Sequence, residues 1–282
     1  MSGSLPENGI KRGLVLAGGG ALGAWQIGVL RAFLEKGVKF DAVLGFSAGA
    51  LNGAAWFLGR VPEAVERWRN PVKILRFSPR LFPFSIFSDR PVWDSLDYAH
   101  DDAAARARGR CRLVVASVPV ARLKRVYGVF DPAAEGTWDA PLAKHLVASS
   151  AIPFVFPPVP LEHRGERHIL VDGGCPSAEP FSVDALGACH EIVMVEMVRP
   201  DELDRAPSGW AEKLDLGSRK LARRLMDEAE ATAHARPEKP RVRRLWPSQR
   251  LEATMLHFEK APMSAAEALG YRDGLEFLSR PA

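Results

Sequence analysis

Cysteine is scarce in this chain. Among 282 residues there are three, Cys111, Cys175 and Cys189. An odd number without close spacing excludes a disulfide framework and a zinc-binding pattern, so no metal is expected. Long apolar runs are also missing. No stretch approaches the roughly 20 apolar residues that a membrane-spanning helix needs. Residues 1–12 lack the apolar core of a secretory signal. There is no internal repeat, which excludes solenoids and propellers. Charge of either sign is nearly balanced, with 38 Lys and Arg against 34 Asp and Glu. The small basic excess hints at anionic partners and is no argument for nucleic acid. These absences point to a cytoplasmic chain, with peripheral membrane contact left open. The organisation expected is a flexible N-terminus over 1–12 and a single domain over 13–282. The apolar share, 47%, is ample for its core. Nothing sets the oligomeric state.

What is present is concentrated between Gly13 and Gly53. This stretch holds two glycine-punctuated turns, Gly18-Gly19-Gly20-Ala21-Leu22-Gly23 and Gly45-Phe46-Ser47-Ala48-Gly49. Each follows a short apolar run and precedes a segment able to form a helix. Their separation is about that of a βαβ unit. Both turns then fall at the carboxyl ends of parallel strands, where open α/β sheets bind ligands.

The second turn fits a nucleophile elbow. In Gly-x-Ser-x-Gly a sharp strand-to-helix turn presents the serine hydroxyl, here that of Ser47, with Gly45 and Gly49 giving it room. The first turn has two readings. Gly18-x-Gly20-x-x-Gly23 matches a dinucleotide fingerprint, with Asp41 near the distance expected for a ribose-binding acid. The same glycines also leave backbone N–H groups open at a helix N-terminus, as an oxyanion requires. An exposed serine on the next strand favours the second reading, because a dinucleotide site has no use for it.

Strands and helices alternate through the rest of the chain, which indicates an α/β sheet with helices on both faces. Ala21–Lys36, Pro62–Arg69, Pro141–Ser149, Trp210–Ala235 and Ser264–Ser279 read as helices, the last opened by a Ser264/Glu267 capping box. Gly13–Ala17, Asp41–Gly45, Cys111–Val120, His168–Asp172, Glu191–Val195, Arg241–Trp246 and Leu251–Phe258 read as strands. Leu123–Phe130 reads as a hairpin partner whose edge is marked by Lys124 and Arg125. Ile152–Pro160 reads as a proline-rich loop. Residues 71–98 are rich in Phe and Pro, and regular helix is not expected across the prolines. They fit a flap lining an acyl groove, or a loop whose aromatics pack onto the core, the commoner use of such residues. Residues 210–250 form a basic helical segment. Its charges could meet an anionic surface, or pair internally as Arg223–Asp227 and Arg224–Glu228.

The ordered set Gly18-Gly19-Gly20-x-x-Gly23, Gly45-Phe46-Ser47-Ala48-Gly49 and Asp172-Gly173-Gly174 resembles the patatin-like phospholipases. The segment from Ala148 to Pro158 and the ending from Leu256 to Tyr271 extend the likeness over most of the chain. The likeness departs at Leu22, where the family usually has Arg or Lys. It departs again at Phe46, where Thr is more usual, and at Ala178, where Asn is common. The resemblance implies a three-layer sandwich with a mostly parallel central sheet. It also implies a serine lipid acyl hydrolase acting on phospholipid or another acyl lipid, without a cofactor. Ser47 and Asp172 would form the catalytic dyad. Gly18, Gly19, Gly20 and Ala48 would supply the oxyanion hole. A non-catalytic lipid-binding protein of the same fold is the remaining alternative. A Ser-His-Asp triad would need His190, His234 or His257, none of which sits in a distinctive turn.

Overall fold

The strands are β1 (Arg12–Leu16), β2 (Ala42–Phe46), β3 (Arg76–Arg80), β4 (Ser85–Ser88), β5 (Arg112–Pro119), β6 (Val126–Phe130), β7 (Val159–His163), β8 (Glu166–Asp172), β9 (Glu191–Val195) and β10 (Arg241–Leu245). The helices are α1 (Gly23–Glu35), α2 (Ala48–Phe57), α3 (Val61–Arg69), α4 (Arg90–Asp94), α5 (Asp102–Arg108), α6 (Leu142–Ser149), α7 (Trp210–His234) and α8 (Lys260–Ser279). This computed structural model describes residues 11–280 apart from 122–123, 205 and 208.

The main sheet runs β10-β9-β1-β2-β5-β8-β7, with β6 also paired to β5. From β10 to β5 every pairing is parallel, and β6, β8 and β7 join antiparallel. The central parallel strands β1, β2, β5 and β9 read as mainly apolar runs because helices cover both faces, whereas β10 at the edge carries three arginines. All five residues of β2 are buried. Helices α1, α2, α3 and α8 pack as one group, and α6 lies against β5, β7 and β8. Helix α7 seats Leu225, Met226, Ala229 and Ala233 in the core.

Helices α1 and α8 approach very closely. A Cβ on Gly28 would lie 2.1 Å from the Glu267 carbonyl oxygen, so only glycine permits the crossing. Beside it, buried Trp25 donates from Nε1 to Asp273 Oδ2 at 2.7 Å. Trp25→Phe would leave that carboxylate short of a buried donor. We expect a loss of about 1–3 kcal/mol in unfolding free energy, read from denaturant melts.

Several expectations are corrected. The N-terminal segment 1–12 lies mostly outside the described residues, but Arg12 belongs to β1 and pairs with Glu191 at 3.0 Å. The expected loop 152–160 runs into a strand, since Val159 and Pro160 open β7 (Val159–His163). It lies at the sheet edge, where Pro160 is tolerated because no ladder donor is needed there. Residues 251–258 form no strand. Their apolar alternation arises because Leu251 and Ala253 are buried, while the backbone bonds elsewhere. Met255 N–H donates to Asp215 Oδ1 at 3.0 Å, and Met255 O accepts from Ala21 at 2.8 Å. Helix α8 starts at Lys260, so Ser264 is interior. Its supposed capping partner Glu267 is buried against Arg69 and Arg31 instead.

The basic segment is largely neutralised from within. Arg219 pairs with Glu202 and Asp215, Arg223 with Glu196 and Asp227, and Arg224 with Glu228. Arg236 meets Glu238, and Arg244 meets Glu196, Asp227 and Glu230. Both expected i,i+4 pairs are present, at 3.1 and 2.9 Å. The arginines therefore do not form a free cationic face. No helix of the described residues is long and apolar enough to cross a membrane.

Residues 71–98 contain the β3–β4 hairpin and short α4, with Pro91 in its first turn. The aromatics do not pack uniformly onto the core. Phe77, Phe82 and Phe84 face solvent, as does Leu81, whereas Trp93 and Tyr98 are packed against it.

Candidate active site

Register brings the two distant motifs together. Phe46, at the end of β2, pairs with Ala116 of β5, and Asp172, at the end of β8, pairs with the next residue, Ser117. Ser47 and Asp172 therefore meet at one level of β5, 125 residues apart in sequence. The Gly18–Gly20 turn follows β1, whose Leu16 pairs with Gly45 of β2.

Ser47 occupies φ 53°, ψ −131° between β2 and α2. A non-glycine residue at such a φ is strained by about 1–3 kcal/mol and persists only where its surroundings enforce it. Here the Ser47 N–H donates to Ser149 O and Oγ, at 3.1 and 3.0 Å. The Ser149 hydroxyl in turn donates to Ala116 O at 2.6 Å. The elbow also requires Gly49, where a Cβ would stand 2.2 Å from the Leu16 carbonyl oxygen.

Asp172 is 5% exposed. Its Oδ1 accepts from Gly174 N–H at 2.7 Å. Its Oδ2 is buried and accepts no well-formed hydrogen bond. The Ser47 hydroxyl lies close enough to favour the ionised carboxylate, as the Gly174 N–H also does. Burial outweighs both and raises the pKa to about 6.

The first turn faces the same place. Ala17 donates to Val195 O and Ala21 to Met255 O, but among the described residues no acceptor meets the N–H groups of Gly18, Gly19 and Gly20. Gly20 has φ +53°, and a Cβ there would collide with Met255 O. Ala48 is the first residue of α2, where helix N–H groups have no partner within the helix.

Ser47, Ala48 and Gly20 line a mainly apolar cavity of about 260 Å³. Its walls include Leu51, Ile74, Val92, Leu96, Ile152 and Phe156. A buried polar network stiffens one side. Asn52 donates to Gly23 O and Gln26 Oε1, both at 3.0 Å, and Trp68 Nε1 donates to Asn52 Oδ1 at 2.8 Å. These residues carry no sequence motif and were not foreseen.

Nor was the role of Arg125, expected to mark a solvent edge. It is buried, with Nε on Gly173 O, Nη2 on Cys175 O and Nη1 on Glu179 O. It thus clamps the turn that follows Asp172. Burial pushes the Cys175 thiol up to about 12, with Asp172 adding to the effect, so this thiol stays neutral.

The alternatives fare differently. No histidine lines the Ser47 cavity. His190 Nδ1 accepts from Lys11 N–H, and His257 pairs with Glu259 in a loop, not in a strand. Asp41 precedes β2 and accepts from Arg12 N–H at the start of β1. That is the end of the sheet opposite the glycine turn, so Asp41 cannot serve a dinucleotide ribose there. Leu22 is fully buried in the core, so an apolar residue suits its position, while Ala178 is exposed.

The chain is 28% identical over 211 residues to the neuropathy target esterase sws of Drosophila melanogaster, covering 70% of this chain and 14% of that protein. It is 41% identical over 85 residues to the same esterase of Drosophila willistoni, covering 28% and 6%. The chain thus spans only a small part of these relatives. In fold it is similar to VipD from Legionella pneumophila, with TM-score 0.56 and 16% identity over 98% of this chain and 69% of that one. A family model described as patatin-like phospholipase matches residues 14–184, which take in the glycine turn, the serine elbow and the Asp-Gly-Gly turn. That match covers more than half of the chain, and the chain belongs to the patatin-like phospholipase family.

Proposed function

We propose that this protein is a serine lipid acyl hydrolase of the phospholipase A or esterase type, acting through Ser47 and Asp172. The observation that carries the reading is a strained serine at an apolar cavity, beside a buried carboxylate with a pKa near 6. Ser47 Oγ attacks the ester carbonyl and passes its proton to Asp172 Oδ2. The resulting oxyanion is met by N–H groups of Gly18, Gly19, Gly20 and Ala48. Collapse expels the alcohol, which takes the proton back from Asp172, and leaves an acyl-serine. Water, deprotonated by Asp172, then attacks the acyl group; the fatty acid leaves as Asp172 returns that proton to Ser47 Oγ. The cavity lies just below the roughly 300–1,000 Å³ usual for a drug-sized ligand. That size suits one acyl chain, with the head group outside.

A fluorophosphonate probe should label the protein on Ser47, found by peptide mass spectrometry. Long-chain acyl esters should compete with the labelling. Hydrolysis should persist in excess chelator, because backbone donors meet the oxyanion's charge. Absence of labelling in folded protein would leave the non-catalytic lipid-binding alternative. Loss of hydrolysis on chelation, restored by Ca²⁺, would reject this oxyanion hole.

A further inference from the structure

We propose that the β3–β4 hairpin, together with the Phe154 loop, is the surface by which this protein docks on an anionic phospholipid bilayer. The choice of a lipid occupant rests on the acyl-lipid reading above. The surface itself rests on four observations.

The hairpin tip is apolar and open. Leu81 and Phe82 are 94% and 95% exposed, and Phe77 is 72% exposed. Scattered apolar side chains on a surface are ordinary, but a contiguous group at one tip marks an interaction site.

The Phe154 loop continues this surface. Ile86 and Phe87 N–H groups donate to Phe154 and Val155 carbonyls, both at 2.9 Å. The Phe84 and Phe154 rings lie 6.3 Å apart. Phe154 itself holds φ 68° while 68% exposed. A bulky residue in the left-handed region is strained, and no core packing compensates here. Strain that presents an aromatic ring to solvent points to a contact made outside the chain.

The surface borders the catalytic cavity. Ile152 and Phe156, on either side of Phe154, line that cavity, as do Val72 and Ile74 ahead of β3. A lipid leaving a bilayer at the hairpin would meet the cavity wall next.

The charge fits an anionic bilayer. Lys73, Arg76 and Arg80 lie in this segment, and no acidic residue occurs between Lys73 and Ser88. None of the three has a carboxylate partner among the described residues, unlike the paired arginines of α7 and β10. A symmetric dimer through this patch would set these cations against their own copies, which disfavours a second copy as the occupant. Apolar side chains flanked by cations suit the interface of a charged membrane.

The test uses the Ser47→Ala protein, so that substrate is not consumed, with phosphatidylcholine vesicles with or without phosphatidylglycerol. Co-sedimentation is expected with the anionic vesicles and should weaken as salt rises. Leu81→Ser/Phe82→Ser should lower binding about tenfold or more, since two buried side chains are lost. Arg76→Glu/Arg80→Glu should weaken binding only to anionic vesicles. Introduced into the active protein, neither pair should alter hydrolysis of a soluble short-chain ester. Phe82→Trp should shift its emission to the blue on anionic vesicles. Unchanged binding by the folded variants, or no shift in Phe82→Trp, overturns the proposal. So does a dimer in solution that Leu81→Ser/Phe82→Ser converts to monomer. If vesicle binding behaves as expected but active protein hydrolyses no ester, the docking surface stands and the catalytic reading fails.

Discussion

Ser47→Ala should abolish both ester turnover and the acyl-enzyme, and Asp172→Asn should lower turnover by about a hundredfold or more. The two substitutions remove different things. Alanine deletes the attacking oxygen and leaves nothing to acylate. Asparagine keeps the shape of Asp172, and its carbonyl can still accept from Gly174 N–H. What it lacks is a basic oxygen beside Ser47. Binding of a soluble ester should therefore be little changed, with the loss falling on kcat. Equal activity of Asp172→Asn and wild type would remove Asp172 as the base. His190→Gln, His234→Gln and His257→Gln should each retain most activity, because none of these residues reaches the cavity. A folded histidine variant as inactive as Ser47→Ala would restore the triad.

The raised pKa of Asp172 predicts how activity and stability vary with pH. Activity needs the ionised carboxylate, so it should rise as pH passes through about 6. Stability should move the opposite way. Burial favours the protonated form in the native state, so the group gives up stability as pH rises from about 4 to about 6. The interval from 3.8 to about 6 corresponds to roughly 3 kcal/mol at most. Asp172→Asn carries no such charge. It should thus unfold later than wild type at pH 8, with the difference vanishing near pH 4. Denaturant melts at the two pH values read this directly, and a less stable Asp172→Asn at pH 8 would contradict it.

Much of the fold was legible because its parallel strands are buried on both faces. Gly13–Ala17 and Glu191–Val195 stand out as apolar runs for that reason. The Gly18–Gly23 and Gly45–Gly49 turns were legible because their backbone geometry admits few other residues. Edge strands that carry proline were not. Pro160 hides β7, and Pro79 lies inside β3, because edge strands tolerate what central ones exclude. The segment 251–258 misled because burial without a sheet can still produce apolar alternation. The supports of the site were least legible. Ser149, Asn52 and Trp68 act through hydrogen bonds to partners 16 to 102 residues away. Local pattern carries no record of such partners.

Arg125 is the clearest of these hidden supports, and its removal should be costly in both stability and rate. Its guanidinium is buried, and among the described residues it pairs with no carboxylate, at a position where charge alone suggested an exposed edge. Three carbonyls take the place of a counter-ion: Gly173 O at 3.3 Å, Cys175 O at 3.0 Å and Glu179 O at 3.2 Å. It also sits 5.2 Å from the Phe181 ring, which packs edge-on to Phe46 beneath the elbow. Burial lowers its pKa, though the Tyr127 and Glu228 charges oppose the shift, which marks the desolvation the fold sustains to keep it. Arg125→Met preserves much of the side-chain volume but strands the carbonyls. Only the Gly173 carbonyl is buried, and an unsatisfied buried group costs about 1–3 kcal/mol, so a loss of that order is expected. The turn carrying Asp172 would then be free to shift. A displacement near 1 Å can cost about a hundredfold in rate, so kcat should fall ten- to hundredfold while KM changes little. Arg125 is not among the groups that set the Asp172 pKa, so the acid limb should stay near pH 6. Arg125→Lys, a point charge that cannot bridge three acceptors, should recover only part of the rate. A folded Arg125→Met with wild-type kcat would show that the clamp does not position the base, and a shifted acid limb would show that it acts through charge instead.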